Sequence, residues 1–189
     1  MPELPDVEGF DSCFRDTALR QTIDRIMTTD GRILEELTPQ SLGRHLKGHQ
    51  FTDTLRHGKY LFARLGANAG FTIFHFGMSG DLSYDRQSSV PEFTRVRFHF
   101  RNGYALNYLS KRMLGLVGFT DNAQAYLRGR KLGPDALGDD LTLKRFRELC
   151  DRRCGVKSFL MNQSVIAGIG NIYSDEIMFQ ARIHPGTQI

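Results

Sequence analysis

The chain has 189 residues, 40% of them hydrophobic and 24% charged, and a net charge of +4. These proportions are those of a folded globular protein. No run of eighteen apolar residues occurs, which excludes a membrane-spanning segment, and acidic residues from position 3 onward exclude a secretory signal. Three cysteines, Cys13, Cys150 and Cys154, lack the paired spacing of a closed zinc site and are expected to be reduced thiols. The sequence therefore predicts an intracellular protein with one large or two small domains.

A helix is predicted at the beginning of the chain. Pro5 suits the first turn of a helix, and the carboxylates of Asp6 and Glu8 complement its positive end. Apolar residues then recur at helical spacing from Val7 to Ala18.

A long β region follows, in which three segments each predict two strands around a turn. The turns are expected at residues 57–58, at residues 77–80, and at Asn102-Gly103. The Asn-Gly dipeptide favours the type I′ turn that joins two twisted antiparallel strands. Several antiparallel strands with short connections indicate a β-sandwich.

The pattern changes after Gly118. A connecting stretch rich in glycine and aspartate leads to helical spacing from Leu141 onward. We therefore expect an α+β protein with a β-sandwich domain over residues 1–132 and a helical domain over residues 133–189.

Basic residues concentrate in two stretches of the chain, residues 95–115 and residues 144–157. Such patches attract polyanions, including nucleic acids, although most charged stretches are only solvated protein surface.

A glycine-rich segment, residues 160–185, predicts two helices separated by residues 167–170. Gly168 and Gly170 permit left-handed backbone angles and close approach to a partner. Asn171 stands where the N-cap of the second helix is expected, and a helix N-terminus is suited to binding phosphate. On this pattern alone, a helical hairpin without a ligand is an equally good interpretation.

Four motifs in register resemble those of the formamidopyrimidine-DNA glycosylase and endonuclease VIII family. They are "PELPDVE" at the start, "GKYLF" around Lys59, "HFGMSG" from His75, and "NQSVIAGIGNIYSDE" from Asn162. The opening is more similar to the formamidopyrimidine branch. The resemblance implies a monomeric base-excision-repair enzyme of the bacterial cytoplasm, at the nucleoid. It also implies that this enzyme removes oxidised bases from double-stranded DNA and cleaves abasic sites, through a sandwich domain and a helix–two-turns–helix domain.

The resemblance gives the unusual opening a chemical role. With Met1 removed, Pro2 carries a secondary amine, and an α-amino group is neutral far more often near pH 7 than a lysine is. Its attack on the deoxyribose yields a cationic iminium that assists loss of the flanking phosphates. Glu3 is implied to move protons. Lys59 is implied to lie against the phosphates flanking the lesion. Asp6 replaces the family's usual glutamate, which makes its part in the catalytic network an open question.

The resemblance also implies DNA contacts. Met78 and Arg112 match side chains that fill the space left by an extracted nucleotide, and Leu114 stands where the family has a phenylalanine wedge. Around Arg112 the chain reads "SKRMLG" instead of "DPRRFG", which predicts a changed preference for the opposite base. The remaining predicted contacts to DNA are His75, Lys157, Gly170 and Asn171.

Family members continue past "ARIHP" with further helices and a zinc-finger hairpin, whereas this sequence ends at Ile189. We therefore expect no metal or other cofactor in this chain. A natural short form and a fragment are both compatible with the sequence. So are a noncatalytic module that binds damaged DNA, a fragment with lyase activity alone, and a helix–two-turns–helix protein of another process, although the N-terminal motif opposes the last.

Overall fold

The fold was obtained as a computed structural model that describes residues 2–189. The prediction that Met1 is removed lies outside the described residues.

The chain divides into two compact units. The first runs to Arg56 and resumes over Tyr60–Ala123, and the second comprises His57–Lys59 and Gln124–Ile189. The predicted boundary after residue 132 lies inside the second unit. Within the described chain, no helix has the length and apolar character needed to cross a membrane.

The first unit contains two four-stranded antiparallel sheets and two helices. The helices are α1 (Leu4–Thr17) and α2 (Pro39–Leu46). The strands are β1 (Ile23–Thr28), β2 (Phe51–His57), β3 (Tyr60–Leu65), β4 (Phe71–His75), β5 (Gly80–Arg86), β6 (Thr94–Phe100), β7 (Tyr104–Ser110) and β8 (Leu116–Thr120). One sheet has the order β1-β6-β7-β5 and the other β2-β3-β4-β8.

A single apolar core joins both sheets and α1. Phe74 of one sheet lies 5.7 Å from Phe98 of the other, ring centre to ring centre, and Phe14 of α1 lies 5.0 Å from Phe51. All four rings are fully buried, and each contributes roughly 1.5–3 kcal/mol by its removal from water. The core places α1, and with it the N-terminus, firmly against the sandwich.

The two strands predicted around residues 77–80 are present as β4 and β5, but they do not pair with each other, because they belong to different sheets. The segment between them carries the chain from one sheet to the other. Gly80 lies so close to the backbone of Phe76 that an added Cβ would be only 2.4 Å from the Phe76 oxygen, and the Gly80 N–H donates to that oxygen at 2.7 Å. This compact turn redirects β5 away from β4.

The hairpin of β6 and β7 is confirmed, but its turn is not type I′. A type I′ turn requires positive φ at both central residues, whereas only Gly103 has one, at +85°. The Asn102 side chain accepts the N–H of Tyr104 at 3.0 Å, and Gly103 N–H donates to Phe100 at 3.3 Å. The result is a three-residue connection ending in a left-handed glycine.

The second unit is helical. Its helices are α4 (Leu143–Leu149), α5 (Val156–Met161) and α6 (Asn171–Ala181), and α3 (Ala123–Gly129) begins at the boundary between the units. The α+β class is confirmed, although α2 lies within the predicted β region and α3 within the predicted connecting stretch. A separate apolar cluster, including Phe159, Ile166 and Met178, forms the core of this unit.

Two details of the glycine-rich segment differ from the prediction. The N-cap of α6 is Gly170, so Asn171 is the first helical residue and not the cap. Gly168 has the expected left-handed φ of +115°, but Gly170 is extended, with φ −121° and ψ −161°. The interhelical segment is also longer than predicted, because α5 already ends at Met161.

Candidate active site and nucleic-acid interface

The predicted nucleophile and proton carrier lie at the beginning of α1. Glu3 is the N-cap residue of the helix and is 1% exposed, and Pro2, directly before it, is partly exposed. The positive end of the helix dipole is therefore next to the Pro2 nitrogen, where it disfavours a protonated amine. Once Met1 is removed, this position would hold a reachable amine beside a buried carboxylate, the arrangement that amine attack with proton transfer requires.

Asp6 has a defined position in this structure. Its carboxylate accepts the backbone N–H of Glu3 at 2.7 Å. That N–H belongs to the peptide bond between Pro2 and Glu3, so Asp6 fixes the orientation of both residues. The shorter aspartate therefore reaches the backbone of the two predicted catalytic residues.

The turn after β4 carries Met78 at its tip. Gly77 has φ of +56°, and its N–H donates to Nδ1 of His75 at 3.3 Å. The side chain of Met78 is 42% exposed. His75, a predicted DNA contact, therefore also stabilises the turn through its imidazole. Met78 is exposed to solvent.

A second loop, residues 111–115, packs directly on this turn. The N–H of Arg112 donates to Oγ of Ser79 at 3.0 Å. A Cβ on Gly77 would lie 2.3 Å from the backbone of Leu114, so only glycine permits this approach. Leu114 is 52% exposed. Met78, Arg112 and Leu114 are consequently brought together on two loops in mutual backbone contact, which we call the wedge loops.

Tyr108 packs against the wedge loops from the protein interior. It is fully buried, and burial raises the pKa of its hydroxyl. The hydroxyl donates to the His75 carbonyl oxygen at 2.8 Å, and a Cβ on Gly115 would collide with it. The hydroxyl of one buried tyrosine therefore contacts the backbone at the foot of both wedge loops. This role was not predicted.

Lys59 lies in the turn between β2 and β3, within the second unit, and is partly buried. The preceding Gly58 has φ of +56°, and its N–H donates to Oδ2 of Asp135 at 2.5 Å. A Cβ on Gly58 would lie 2.8 Å from Cβ of Ala167 and 3.2 Å from the nitrogen of Gly168. The lysine turn and the glycine-rich loop are thus packed against each other.

Asp135 is the residue that joins these two motifs, and nothing in its sequence context singles it out. It is 6% exposed and forms a bridge with Ala167 of the glycine-rich loop. Its second carboxylate oxygen accepts the N–H of Leu137 at 2.9 Å. Next to it, Nε2 of His57 donates to the Gly133 carbonyl oxygen, with 2.9 Å between the two atoms.

Replacing Asp135 with alanine is expected to lower the free energy of unfolding by about 1–3 kcal/mol, because the buried N–H of Gly58 loses its acceptor. The Lys59 turn should loosen at the same time, so affinity for duplex DNA should fall. Chemical denaturation and fluorescence anisotropy measure the two effects. Asp139→Ala, at an exposed position nearby, is the matched control, and equal losses in both variants would contradict the role of Asp135.

The glycine-rich loop is held by the side-chain amide of Gln163. Its Oε1 accepts the N–H of Gly168 at 3.0 Å, and its Nε2 donates to the carbonyl oxygen of Ile169 at 2.7 Å. This amide fixes the backbone that leads into Gly170 and the exposed Asn171 at the start of α6. Gln163 lies inside one of the four motifs, but its hydrogen-bond partners could not be predicted from the sequence.

Lys157 lies on α5 and forms an ion pair with α6. Its Nζ is 2.7 Å from Oδ1 of Asp175, and both side chains are partly exposed to solvent. A phosphate group at Lys157 would therefore compete with Asp175 for the ammonium.

Asp175→Asn is expected to strengthen binding to duplex DNA, because the variant removes a negative charge and releases the ammonium of Lys157. The slope of log affinity against log salt should steepen by roughly 0.9 for each additional phosphate contact. A salt titration measures this slope. Glu176→Gln, the adjacent charge removal, is the control, and identical slopes in the two variants would show that Lys157 does not bind a phosphate.

Among the described residues, no group of three or more histidine, cysteine, aspartate or glutamate side chains could hold a metal ion. None of the three cysteines forms a disulfide bond.

Two family models match the chain. The formamidopyrimidine-DNA glycosylase N-terminal domain matches residues 1–117, and the formamidopyrimidine-DNA glycosylase H2TH domain matches residues 132–188. The chain belongs to the formamidopyrimidine-DNA glycosylase family. The resemblance drawn from the four motifs is thereby confirmed.

Individual relatives agree with this assignment. Formamidopyrimidine-DNA glycosylase of Mycoplasma genitalium is 32% identical over 192 residues, covering 100% of this chain and 67% of the relative. The enzyme of the same name from Stutzerimonas stutzeri is 34% identical, covering 98% and 68%. The chain therefore spans about two thirds of the length of these bacterial glycosylases.

Solved glycosylase structures share the fold. Lactococcus lactis Fpg in complex with DNA containing an abasic site has a TM-score of 0.90 and 29% identity, with 99% of this chain and 69% of that chain covered. The same enzyme with DNA containing FAPY-dG also has a TM-score of 0.90 and 29% identity, with 98% and 71% covered. The predicted fold, a β-sandwich followed by a helix–two-turns–helix domain, is confirmed by this likeness.

Proposed function

We propose that this chain is a base-excision-repair DNA glycosylase that removes oxidised or ring-opened bases from duplex DNA and then cleaves the abasic site. The observation that carries the proposal is the pairing of a partly exposed Pro2 with the 1% exposed Glu3 at the N-terminus of α1. The Lactococcus lactis enzyme, similar over nearly the whole chain, is known in complex with such DNA. Damaged or abasic duplex DNA is accordingly the proposed partner, at the bacterial nucleoid.

The first step is nucleophilic substitution at C1′ of the damaged nucleotide. After removal of Met1, the lone pair of the Pro2 nitrogen forms a bond to C1′ while the glycosidic bond breaks, the electrons of that bond leave with the base, and the proton that the Pro2 nitrogen then loses neutralises the departing base. Glu3 supplies a proton to the ring oxygen, so that the C1′–O4′ bond opens and a cationic iminium forms between Pro2 and the sugar.

The iminium then acts as an electron sink. Loss of a proton from C2′ expels the 3′ phosphate, and a second elimination expels the 5′ phosphate. Addition of water to the remaining iminium releases the sugar fragment as an aldehyde and regenerates the Pro2 amine. The amine and the carboxylate supply the nucleophile, the electron sink and the proton transfers, so we propose a reaction that uses no cofactor.

Lys59, Lys157 and Asn171 are proposed to hold phosphates beside the lesion. Contacts to phosphate set the register of a protein on the duplex without reading its sequence. The packing of Gly58 on Ala167 supports this proposal, because it orders the Lys59 turn against the loop that leads to Asn171.

The wedge loops are proposed to occupy the space left by the extracted nucleotide. Met78 and Leu114 supply exposed apolar groups that can separate neighbouring base pairs, and Arg112 supplies donors for the unpaired base. Leucine has no aromatic face for stacking, so we infer weaker discrimination of the opposite base than an aromatic wedge would give.

The test is incision of labelled duplexes by protein lacking Met1. A duplex with a single ring-opened guanine should be cut to ends that both carry phosphate, whereas an undamaged duplex should remain intact. Binding without any incision of lesion or abasic duplex would favour the alternative, a noncatalytic module for damaged DNA.

The same assay tests the wedge. Met78→Ala should slow excision of the intact lesion by about tenfold or more, because extrusion costs a few kcal/mol that a missing base largely removes. Cleavage of a preformed abasic site should change by less than about threefold, on the same argument. Met27→Ala, an exposed methionine on β1, is the matched control. Equal losses on both substrates would assign Met78 to general DNA contact only.

A further inference from the structure

A groove in the first unit lies between β1 and α2 and has a volume of about 590 Å³. Apolar groups contribute to its lining, namely Ile26 of β1 together with Pro39 and Gly43 of α2. Apart from Gly43 itself, its two chain neighbours and the adjacent backbone of α2, no described atom lies within 4 Å of the position that a Cβ on Gly43 would occupy. The missing side chain thus leaves open space along the middle of a helix, where glycine is otherwise unfavourable.

Three cations stand around these apolar groups. Arg25, Arg44 and Lys47 line the groove, and no acidic residue of the described chain does so. The side chains of these three cations form no hydrogen bond or ion pair with another described residue. The groove therefore combines an apolar surface with positive charge that the protein itself leaves uncompensated.

The sheet beside the groove adds to this positive charge. Arg25 is the cross-strand neighbour of His99, and Arg97 lies two residues before His99 on β6. Burial, together with the charges of Arg25 and Arg97, lowers the pKa of His99. Asp24 is the nearest acidic group on β1, and it is exposed and does not line the groove. Acidic side chains of the protein would therefore compete little with a bound anion for these cations.

The groove is distinct from the wedge loops. It lies at the β1 edge of its sheet, whereas the turn bearing Met78 leads into β5 at the opposite edge, with β6 and β7 between them. Strands are about 4.8 Å apart, which separates the two edges by about 14 Å. The wedge loops therefore leave the groove unused.

We propose that this groove is a docking site for a short acidic peptide segment of a partner protein, with an apolar side chain seated against Ile26 and Gly43 and carboxylates at Arg25, Arg44 and Lys47. Charge complementarity and the apolar surface together select this occupant. A nucleic-acid strand fits less well, because no described residue that lines the groove is aromatic and bases bind single-strand sites largely by stacking on aromatic rings.

The probe is a fluorescein-labelled nine-residue peptide with four aspartates around a central phenylalanine and leucine. It should bind saturably, and added salt should weaken binding. Control peptides replace the aspartates with asparagines or the two apolar residues with serines, and both should bind at least about tenfold more weakly if charge and apolar contact act together.

Two protein variants locate the site. Arg44→Glu combined with Lys47→Glu should weaken peptide binding by about tenfold or more, through charge reversal. Gly43→Leu should weaken it by filling the groove, and the open space at Gly43 allows this change without disturbing the fold. Arg101→Glu, at an exposed cation on the β6–β7 turn, should change affinity less than about twofold. Thermal melting of each variant establishes that it is folded.

Three results would overturn the proposal. They are a lack of saturable peptide binding, an Arg101→Glu effect as large as that of the groove variants, and tighter binding of a nine-nucleotide thymidine strand that the same groove variants abolish. The last result would assign the groove to nucleic acid instead. Incision of abasic duplex serves as a separate readout, and the groove variants should leave it unchanged, so failure here is independent of the glycosylase proposal.

Discussion

Protein from which Met1 has been removed is expected to form a borohydride-trapped adduct with abasic-site DNA, whereas protein that retains Met1 is expected to form none. The reason is that the Pro2 nitrogen is an amide in the longer chain and carries no lone pair suited to attack, while in the shorter chain it is a secondary amine. Denaturing gel electrophoresis after reduction measures the adduct, and we expect a change from undetectable to nearly stoichiometric.

Mass spectrometry of the digested adduct decides which residue reacted. The adduct should lie on the N-terminal peptide. An adduct on Lys59 would contradict the assignment of Pro2. Lys59→Arg is the matched variant, because it keeps the cation that is proposed to hold phosphate but removes the only nucleophilic amine of that turn, and it should still be trapped.

Glu3→Gln is expected to slow excision of an intact lesion by about 10²–10⁴-fold, the usual contribution of a positioned general acid. Glutamine keeps the size and the acceptor oxygen of glutamate at the N-cap of α1, so the helix should remain folded. Trapping on a preformed abasic site should fall much less, because an abasic sugar opens to its aldehyde without the enzyme. Single-turnover excision and trapping yield are the two measurements.

Asp16→Asn provides the control for this variant, since Asp16 is an exposed carboxylate on the same helix. It should leave both reactions within about twofold of the unchanged protein, as expected for a surface charge. If Glu3→Gln lowers excision and trapping by the same factor, Glu3 serves the amine attack itself and not the opening of the sugar ring.

The strands of the sandwich could be predicted because alternation of apolar and polar residues is a local signal. β6, which forms a hairpin with β7, illustrates this, since Val96, Phe98 and Phe100 alternate with polar residues along the sequence and belong to the core in the structure. The turn between them could not be assigned correctly, because the Asn102 side chain bonds the backbone of Tyr104 and so replaces the conformation that Asn-Gly usually favours. Side-chain competition for backbone groups is not visible in a dipeptide preference.

In the candidate site, too, some residues could be predicted from the sequence and others could not. Pro2, Glu3 and Met78 could be named from motifs, because each stands at a recognisable position of a motif that the family shares. Asp135 and Tyr108 could not, because their roles consist of hydrogen bonds to residues far away in the sequence. Neither lies in a motif, and a buried aspartate or tyrosine is recognisable as a support only when its acceptors and donors are known.

The hydrogen bond between Gly58 and Asp135 has a consequence for biosynthesis. The two residues are 77 positions apart in the chain, and ribosomes add about 5–20 residues per second. The turn that carries Lys59 therefore waits roughly 4–15 s after its own synthesis before its acceptor emerges. During that interval the strands β2 and β3 can pair, but the turn that joins them has no carboxylate to fix it. A nascent chain arrested before Asp135 should accordingly show fast hydrogen exchange at Gly58, and one extended past Gly168 should show protection.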